Sequence, residues 1–182
     1  MIWEHVGDNR SGKTLLNAIL AWEAYRQGRT VYCNCPRFDE DSYECILNFP
    51  HQHLDPYSYY GQQLVNCYLM TDESADDLSA RQSMRYGREE LTKFGRQVKK
   101  RGVDWHYDAV RHRDIDVRIR LNPDYILESF RVPRNIKEPL RAIKVKSNYR
   151  YATSSRTFWV LRPWEFFPVY NHIPHSMMEA AA

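Results

Sequence analysis

One eight-residue motif near the start of the chain restricts its fold more than any other feature. Its residues are Gly7, Asp8, Asn9, Arg10, Ser11, Gly12, Lys13 and Thr14, which fit the pattern G-x-x-x-x-G-K-[ST]. The glycines let the loop curl so that successive backbone N–H groups face one point, where they attract an anion. Such a loop needs a strand before it and a helix after it, because the helix N-terminus adds its positive dipole.

The flanking residues predict that strand and that helix. Residues 2–6 form a short strand, although Glu4 and His5 are polar for a central parallel strand, which usually is continuously apolar. Residues 13–27 carry their apolar side chains on one face at helical spacing, and Gly28 stands where a C-cap glycine is expected. We therefore expect a P-loop that binds ATP.

The remaining sequence alternates strand and helix patterns, which predicts a parallel sheet with helices on its faces. Residues 37–60 are acidic and aromatic and are expected to be irregular. Alternation after Pro133 predicts a β-hairpin from residues 142–146 and 157–161. We predict one α/β domain over residues 1–182, with a core of 1–130 and a C-terminal β-extension of 131–182. The other expected elements are strands at 30–33, 64–70, 103–109 and 125–130, and a helix from 76 or 77 to 101.

A P-loop needs a second acidic element, and the strand at 64–70 supplies one where it ends. Asp72 and Glu73 follow it directly, at the sheet edge where such folds bind ligands. We expect Lys13 to contact the β- and γ-phosphates, and Thr14 and Asp72 to hold Mg²⁺. Glu73 would act as general base toward the attacking water. The alternative is an ordinary acidic helix N-terminus, which Asp76 and Asp77 would also suit.

The net charge of +3 hides a strong asymmetry along the chain. Residues 38–80 contain nine acidic side chains and no Lys or Arg, whereas residues 81–120 contain twelve basic and six acidic ones. Residues 131–162 contain nine basic side chains and only Glu138 as an acid. Clustered positive charge attracts phosphate backbones, so a nucleic-acid partner is one interpretation. Solvated faces of helices and strands are the other.

Cysteines and apolar segments indicate the compartment. The first residues lack the basic start and apolar stretch of a signal peptide, and no apolar run approaches the roughly 18 residues of a membrane helix. We expect no membrane segment, a cytoplasmic location and reduced thiols. Zinc binding by Cys33, Cys35 and Cys45 with His51 or His53 is the alternative, although the spacing contains no CxxC pair.

A family resemblance follows from the order of these motifs. The P-loop, the strand ending in Asp72 and Glu73, residues 99–104, residues 116–126 and the pair Tyr170 and Asn171 succeed one another recognisably. Together they resemble the Zot-like and viral genome-packaging ATPases of the HerA/FtsK superfamily. The resemblance implies a RecA-like P-loop core, a homo-oligomeric ring and ATP-driven movement of double-stranded DNA. It also implies a capsid or portal-vertex partner in the host cytoplasm or on the virion.

The same resemblance assigns two further roles. A polar sensor residue, often Gln, normally ends the strand before Arg111, but apolar Val110 occupies that position here, and Asp108 is the substitute to consider. A ring ATPase also completes a neighbour's site with an arginine. We favour Arg101 for this role. The other arginines considered are Arg81, Arg85, Arg88 and Arg96.

The sequence thus predicts an ATPase motor that moves double-stranded DNA, most simply into a viral capsid. A filamentous-phage assembly ATPase is the nearest alternative, and its usual membrane helix after the core is not found here. A P-loop kinase or nucleotide-binding switch would need a phosphoacceptor pocket and a lid, neither of which the sequence locates. A P-loop protein that binds nucleotide only as a structural subunit is the third alternative.

Overall fold

An eight-stranded sheet organises the structure, a computed structural model that describes residues 1–34, 45–72, 78 and 88–170. Three α-helices are described with it, along with short 3-10 helices. In chain order the strands and α-helices are β1 (Ile2–Val6), α1 (Lys13–Arg26), β2 (Thr30–Cys33), β3 (Gln52–His53), β4 (Cys67–Thr71), α2 (Arg88–Gln97), β5 (Asp104–Ala109), α3 (Val117–Arg120), β6 (Tyr125–Val132), β7 (Ala142–Tyr149) and β8 (Ser155–Leu161).

The strand order is β3-β2-β4-β5-β1-β6-β7-β8. All pairs from β3 to β6 are parallel, and β6, β7 and β8 continue the sheet as antiparallel neighbours. The predicted C-terminal hairpin is therefore in register with β6 and extends the same sheet. Because the parallel strands point the same way, the carboxyl ends of β1, β4 and β5 meet at one edge.

Each face of the sheet is covered by a helix with an apolar side. The helix α1 packs on one face through small and branched residues, against Met70 of β4 and against Leu127 and Ile143 of β6 and β7. On the other face, Phe94 of α2 packs against a buried group that includes Trp105. Both helices are thereby fixed on the sheet, and the N-terminus of α1 is held at its carboxyl edge.

Several element boundaries differ from the sequence expectations. The strand expected at 64–70 is β4, and it begins only at Cys67 because Asn66 adopts a positive φ of 48°, which interrupts an extended strand. The expected helix to residue 101 ends at Gln97, and Leu78 lies in a bend and not in a helix. The segment 37–60, expected to be irregular, contains β3 and a 3-10 helix at Pro56–Ser58 in its described part.

The cysteines do not share one state. Cys33 is disulfide-bonded, which corrects the expectation that all the thiols are reduced. Cys45 and Cys67 carry thiols, and burial raises the pKa of the Cys67 thiol to about 11. The described segments contain no group of three metal-ligating side chains. They also contain no helix of the length and apolarity that a bilayer crossing requires.

Candidate nucleotide site

The predicted P-loop joins β1 to α1 in the form that its sequence requires. Gly7 has a φ of 148° and Gly12 a φ of 92°, both in the region that favours glycine. Arg10 also has a positive φ, of 62°, so the chain reverses direction within the loop. The backbone N–H of Ser11 donates to the carbonyl of Asp8 at 3.1 Å, which closes the curl.

Neither glycine of the loop has room for a side chain. A Cβ atom on Gly7 would lie 2.6 Å from the carbonyl oxygen of Ser129 in β6. A Cβ atom on Gly12 would lie 2.6 Å from Cδ1 of Ile143 in β7. The loop therefore rests directly on β6 and β7, and the hairpin predicted as an extension forms part of the wall of the site.

Lys13 occupies the first position of α1 and turns back over the loop. Its Nζ donates to the carbonyl oxygens of Gly7 at 2.8 Å and Asp8 at 3.0 Å. Burial lowers the pKa of Lys13, while the nearby charges of Asp108, Asp72 and Asp8 raise it. The ammonium group is thus enclosed by the loop and by carboxylates, at the point where the loop would receive phosphate oxygens.

Asp72 lies where the sequence predicted it, directly after β4. Thr14 Oγ1 donates to Asp72 Oδ1 at 3.2 Å, which joins the start of α1 to the end of β4. Asn34, which the sequence analysis missed, forms hydrogen bonds with both the N–H and the carbonyl of Asp72. Its Nδ2 donates to the Asp72 carbonyl at 3.0 Å, and its Oδ1 accepts from the Asp72 N–H at 2.7 Å. The signal for it was a polar residue directly after a buried strand.

The residues around Asp72 fit a hard divalent cation. A hydroxyl oxygen and a carboxylate oxygen are the ligand types that Mg²⁺ takes from protein, with water and phosphate completing its shell. Thr14 and Asp72 already converge at hydrogen-bond distance. Glu73, the expected general base, lies outside the described residues, as do Asp76 and Asp77.

Asp108 is placed beside the acidic end of β4. Thr71 pairs with Tyr107, so Asp72 and Asp108 are the next residues along two neighbouring strands. Asp108 is buried, whereas Val110 lies beyond the end of β5 and is 39% exposed. The polar side chain that this strand presents to the site is therefore the Asp108 carboxylate.

Tyr170, expected as a late landmark of the family, also reaches this centre. Its backbone forms an isolated bridge with Leu47, after the chain has crossed α1 from the β8 side. Burial, together with the charges of Asp72 and Asp108, raises the pKa of Tyr170. Asn171, its predicted companion, lies outside the described residues.

Arg101 lies at the opposite edge of the sheet from the P-loop. Its carbonyl accepts from the N–H of Asn66, just before β4 begins. Its guanidinium donates to the Gln62 carbonyl at 2.9 Å and to Gln97 Oε1 at 2.7 Å. Arg101 could act only on another subunit's nucleotide, and that role stays a prediction. Of the other candidates, Arg96 is exposed on α2, and Arg81 and Arg85 lie outside the described residues.

The two polar residues of β1 are both buried and both partnered by histidine. His5 Nε2 lies 3.0 Å from Nδ1 of His106, and burial lowers the pKa of His5 to about 3. On the other face of the sheet, Glu4 Oε2 lies 2.6 Å from Nδ1 of His112. Burial raises the pKa of Glu4 to about 8, against the opposing effect of Arg120. The polar first strand is thus explained by two internal pairs.

The burial of Glu4 predicts a pH-dependent stability that a substitution should remove. In an unfolded chain Glu4 releases its proton near the ordinary pKa of 4.5, whereas in the folded chain its pKa is about 8. Stability should therefore fall as pH rises through that window, since the folded state binds more protons. The loss is on the order of 3 to 5 kcal/mol, at about 1.4 kcal/mol per pKa unit. Other titrating groups that face Glu4 are His112 and Tyr107.

We expect Glu4→Gln to be less sensitive to this rise in pH, because a neutral amide has no proton to release. Urea denaturation at pH 5.5 and pH 8.5 measures the difference. The matched control is Glu128→Gln, at a half-buried position on the neighbouring strand β6. Equal pH dependence in Glu4→Gln and the unsubstituted protein would contradict the assignment.

Comparison with known structures identifies the fold around this site. The N-terminal domain of zonular occludens toxin from Neisseria meningitidis matches with a TM-score of 0.64 at 15% identity, over 93% of this chain and 98% of that one. The genome packaging NTPase B204 from Sulfolobus turreted icosahedral virus 2, in complex with ATP-gammaS, matches with a TM-score of 0.59 at 12% identity, over 86% and 95%. This chain has the same RecA-like P-loop fold.

Another solved structure agrees with that fold. The flagellar accessory protein FlaH from Methanocaldococcus jannaschii matches with a TM-score of 0.52 at 11% identity, over 86% of this chain and 84% of that one. Comparison of the sequence with family models and with curated proteins finds no match. The resemblance predicted from the order of the motifs is confirmed at the level of three-dimensional structure, as is the predicted fold class.

Proposed function

We propose that this chain is a P-loop ATPase that uses Mg²⁺-dependent ATP hydrolysis to move double-stranded DNA. The observation that carries the proposal is the contact between Thr14 and Asp72, which joins the P-loop to the acidic strand end. A P-loop supplies phosphate-binding N–H groups and a lysine, and the acidic strand end supplies the ligand for Mg²⁺. Bound Mg²⁺ would neutralise charge on the β- and γ-phosphates.

Four residues of this chain would each have a separate role in binding and hydrolysis. On nucleotide binding, Lys13 exchanges its bonds with the loop carbonyls for phosphate oxygens, since those carbonyls are its ligands in the free protein. Asn34 keeps the Asp72 backbone in place. Glu73 accepts the proton of the attacking water. Arg101 of a neighbouring copy completes the site in a ring.

The basic hairpin supports DNA as the partner. Ile143 and Val145 face α1, so Lys144 and Lys146, which alternate with them along β7, project from the opposite face of the sheet. Lys144 pairs across the strands with Trp159, which is 51% exposed, and its Nζ lies 5.8 Å from the ring centroid. Lys144 is half-buried and Lys146 is exposed. Lysines of this kind beside an exposed aromatic ring are suited to phosphates and to base stacking. Phe166 and Phe167, which follow β8, pack instead against the apolar group that contains Leu15 and Leu16 of α1.

Two neighbours suggest what the movement serves. B204 is described as a genome packaging NTPase and as a DNA-packaging ATPase, so packaging of viral DNA into a capsid is the role we propose. The likeness to the zonular occludens toxin domain supports the alternative of a phage assembly ATPase. Both roles share the ATP site and a homo-oligomeric ring.

We expect the double substitution Lys144→Glu and Lys146→Glu to weaken duplex DNA binding while leaving ATP affinity unchanged. Both lysines face away from α1 and the P-loop, so the charge reversal should not disturb nucleotide binding. DNA binding should depend little on base sequence, and the slope of log K against log salt should drop by about 0.9 for each phosphate that is no longer neutralised. Fluorescence anisotropy across a salt series measures both quantities.

The matched control reverses Arg26 and Lys100, two exposed residues that lie outside β7 and β8, and it changes the net charge equally. This control should retain most of the DNA affinity and its salt slope. Salt-insensitive binding by the unsubstituted protein, or equal reductions of affinity in both double variants, would remove the hairpin as the DNA-binding surface.

A further inference from the structure

A buried arginine lies under the P-loop and plays no part in the site described so far. Ser129 of β6 touches Gly7 through its carbonyl, and Ile143 of β7 touches Gly12 through its side chain. Arg131 is two residues beyond Ser129 on the same face of β6, and it pairs directly with Ile143. These contacts place Arg131 beside the two strand residues on which the loop rests.

The guanidinium of Arg131 is buried without a neutralising carboxylate in direct contact among the described residues. The side chain is 6% exposed. Its Nη1 donates to the Asn135 carbonyl at 3.0 Å and its Nη2 to the Glu138 carbonyl, while Nε has no partner in the described part of the chain. Burial lowers the pKa of Arg131 and so does the charge of Arg10, while Glu138 raises it. A second positive charge, that of Arg10, therefore lies close by.

Such an arrangement is electrostatically incomplete in the free protein. A buried charge is costly unless an opposite charge and hydrogen bonds compensate it. The Glu138 carboxylate acts on Arg131 only from a distance, and the backbone carbonyls in direct contact provide only dipoles. The P-loop above Arg131 is built to collect negative charge through its N–H groups and the dipole of α1. An anion bound there would offset the charges of both arginines.

We propose that Arg131 is an anion-binding residue of this site, which together with Arg10 recognises the charge of a nucleotide's polyphosphate tail. The proposal rests on nucleotide binding at the P-loop and assigns this chain a second cationic element besides Lys13. Arginine suits the position because its charge persists in a buried site and its N–H groups can donate to the Asn135 and Glu138 carbonyls and to an anion together. A purely structural role would limit Arg131 to holding the turn at residues 133–140.

Two substitutions separate the charge of Arg131 from its hold on the turn. Arg131→Gln removes the charge but keeps N–H donors for the Asn135 and Glu138 carbonyls. Arg131→Lys keeps the charge but loses the planar guanidinium that donates to both carbonyls at once. Calorimetric titration with inorganic tripolyphosphate and with ATP should show about a tenfold or greater loss of affinity in Arg131→Gln. Arg131→Lys should lose less affinity than Arg131→Gln. Arg156→Gln, at an exposed position on β8, is the control and should bind normally.

The outcomes distinguish this proposal from the proposed function. If the unsubstituted protein binds neither ATP nor tripolyphosphate, the nucleotide site itself is wrong. If it binds both and Arg131→Gln binds them equally well, Arg131 is structural. A loss of affinity in Arg131→Lys equal to or larger than that in Arg131→Gln would also overturn the proposal. Affinity would then depend on the hydrogen bonds that Arg131 makes to the turn, and not on its charge. Thermal unfolding without ligand confirms that each variant is folded, and Arg131→Met is the substitute if Arg131→Gln is not.

Discussion

Replacing Lys13 with alanine should abolish tight binding of ATP, with affinity falling about a hundredfold or more. The ammonium group is the positive charge that the loop encloses, and charge-assisted hydrogen bonds to phosphate are among the strongest in proteins. In the free protein it is held by the Gly7 and Asp8 carbonyls, which keep it over the loop before nucleotide arrives. Isothermal calorimetry with Mg²⁺ and a non-hydrolysed ATP analogue measures the loss.

The matched control for Lys13→Ala is Lys100→Ala, at an exposed lysine outside the site. Thermal unfolding without nucleotide should show that both variants are folded, since the Lys13 ammonium donates its hydrogen bonds within its own loop. Unchanged nucleotide affinity in folded Lys13→Ala would remove the P-loop assignment and the functional proposal that depends on it.

Glu73→Gln should retain nucleotide binding and lose hydrolysis by a factor on the order of 10² to 10⁴. The amide can still hydrogen-bond to water but cannot accept its proton. Glu73 directly follows Asp72, whose position beside Thr14 is fixed by the structure. Single-turnover hydrolysis, measured with binding on the same samples, separates the chemical step from affinity.

Asp72→Asn is the companion to Glu73→Gln and should fail differently. It removes the carboxylate that we propose as a ligand of Mg²⁺, so the gain in ATP affinity on adding Mg²⁺ should shrink. Titration of ATP with Mg²⁺ and with a chelator measures that gain. If Glu73→Gln hydrolyses ATP normally, the base lies elsewhere, and Asp76, Asp77 and the buried Asp108 become the residues to test.

The parts of the fold that depend on local pattern could be predicted from the sequence. The P-loop, β1 and α1 follow from the motif and the helical spacing behind it, and Asp72 follows from its place after an apolar strand. The hairpin β7 to β8 follows from its alternation. In each case the information lies within about twenty residues of chain, where periodicity and turn chemistry act.

The parts that depend on long-range pairing could not be predicted. Nothing local in the sequence states that Ile143 packs on Gly12, or that Arg131 lies under a loop more than a hundred residues away in sequence. The position of Asp108 beside Asp72 likewise depends on β5 inserting between β1 and β4. The hydrogen bond between Glu4 and His112 also joins residues that are far apart in sequence. The polar character of β1 therefore cannot be explained from the strand alone.

The most direct test of the central claim is steady-state ATP turnover with Mg²⁺, measured as duplex DNA is added to the assembled protein. The proposed function predicts that turnover rises with duplex DNA in the unsubstituted protein and stays at background in Lys13→Ala. Turnover that is absent, or that is indifferent to duplex DNA in an assembled ring, would contradict a DNA-moving ATPase and favour a kinase or a structural nucleotide-binding subunit.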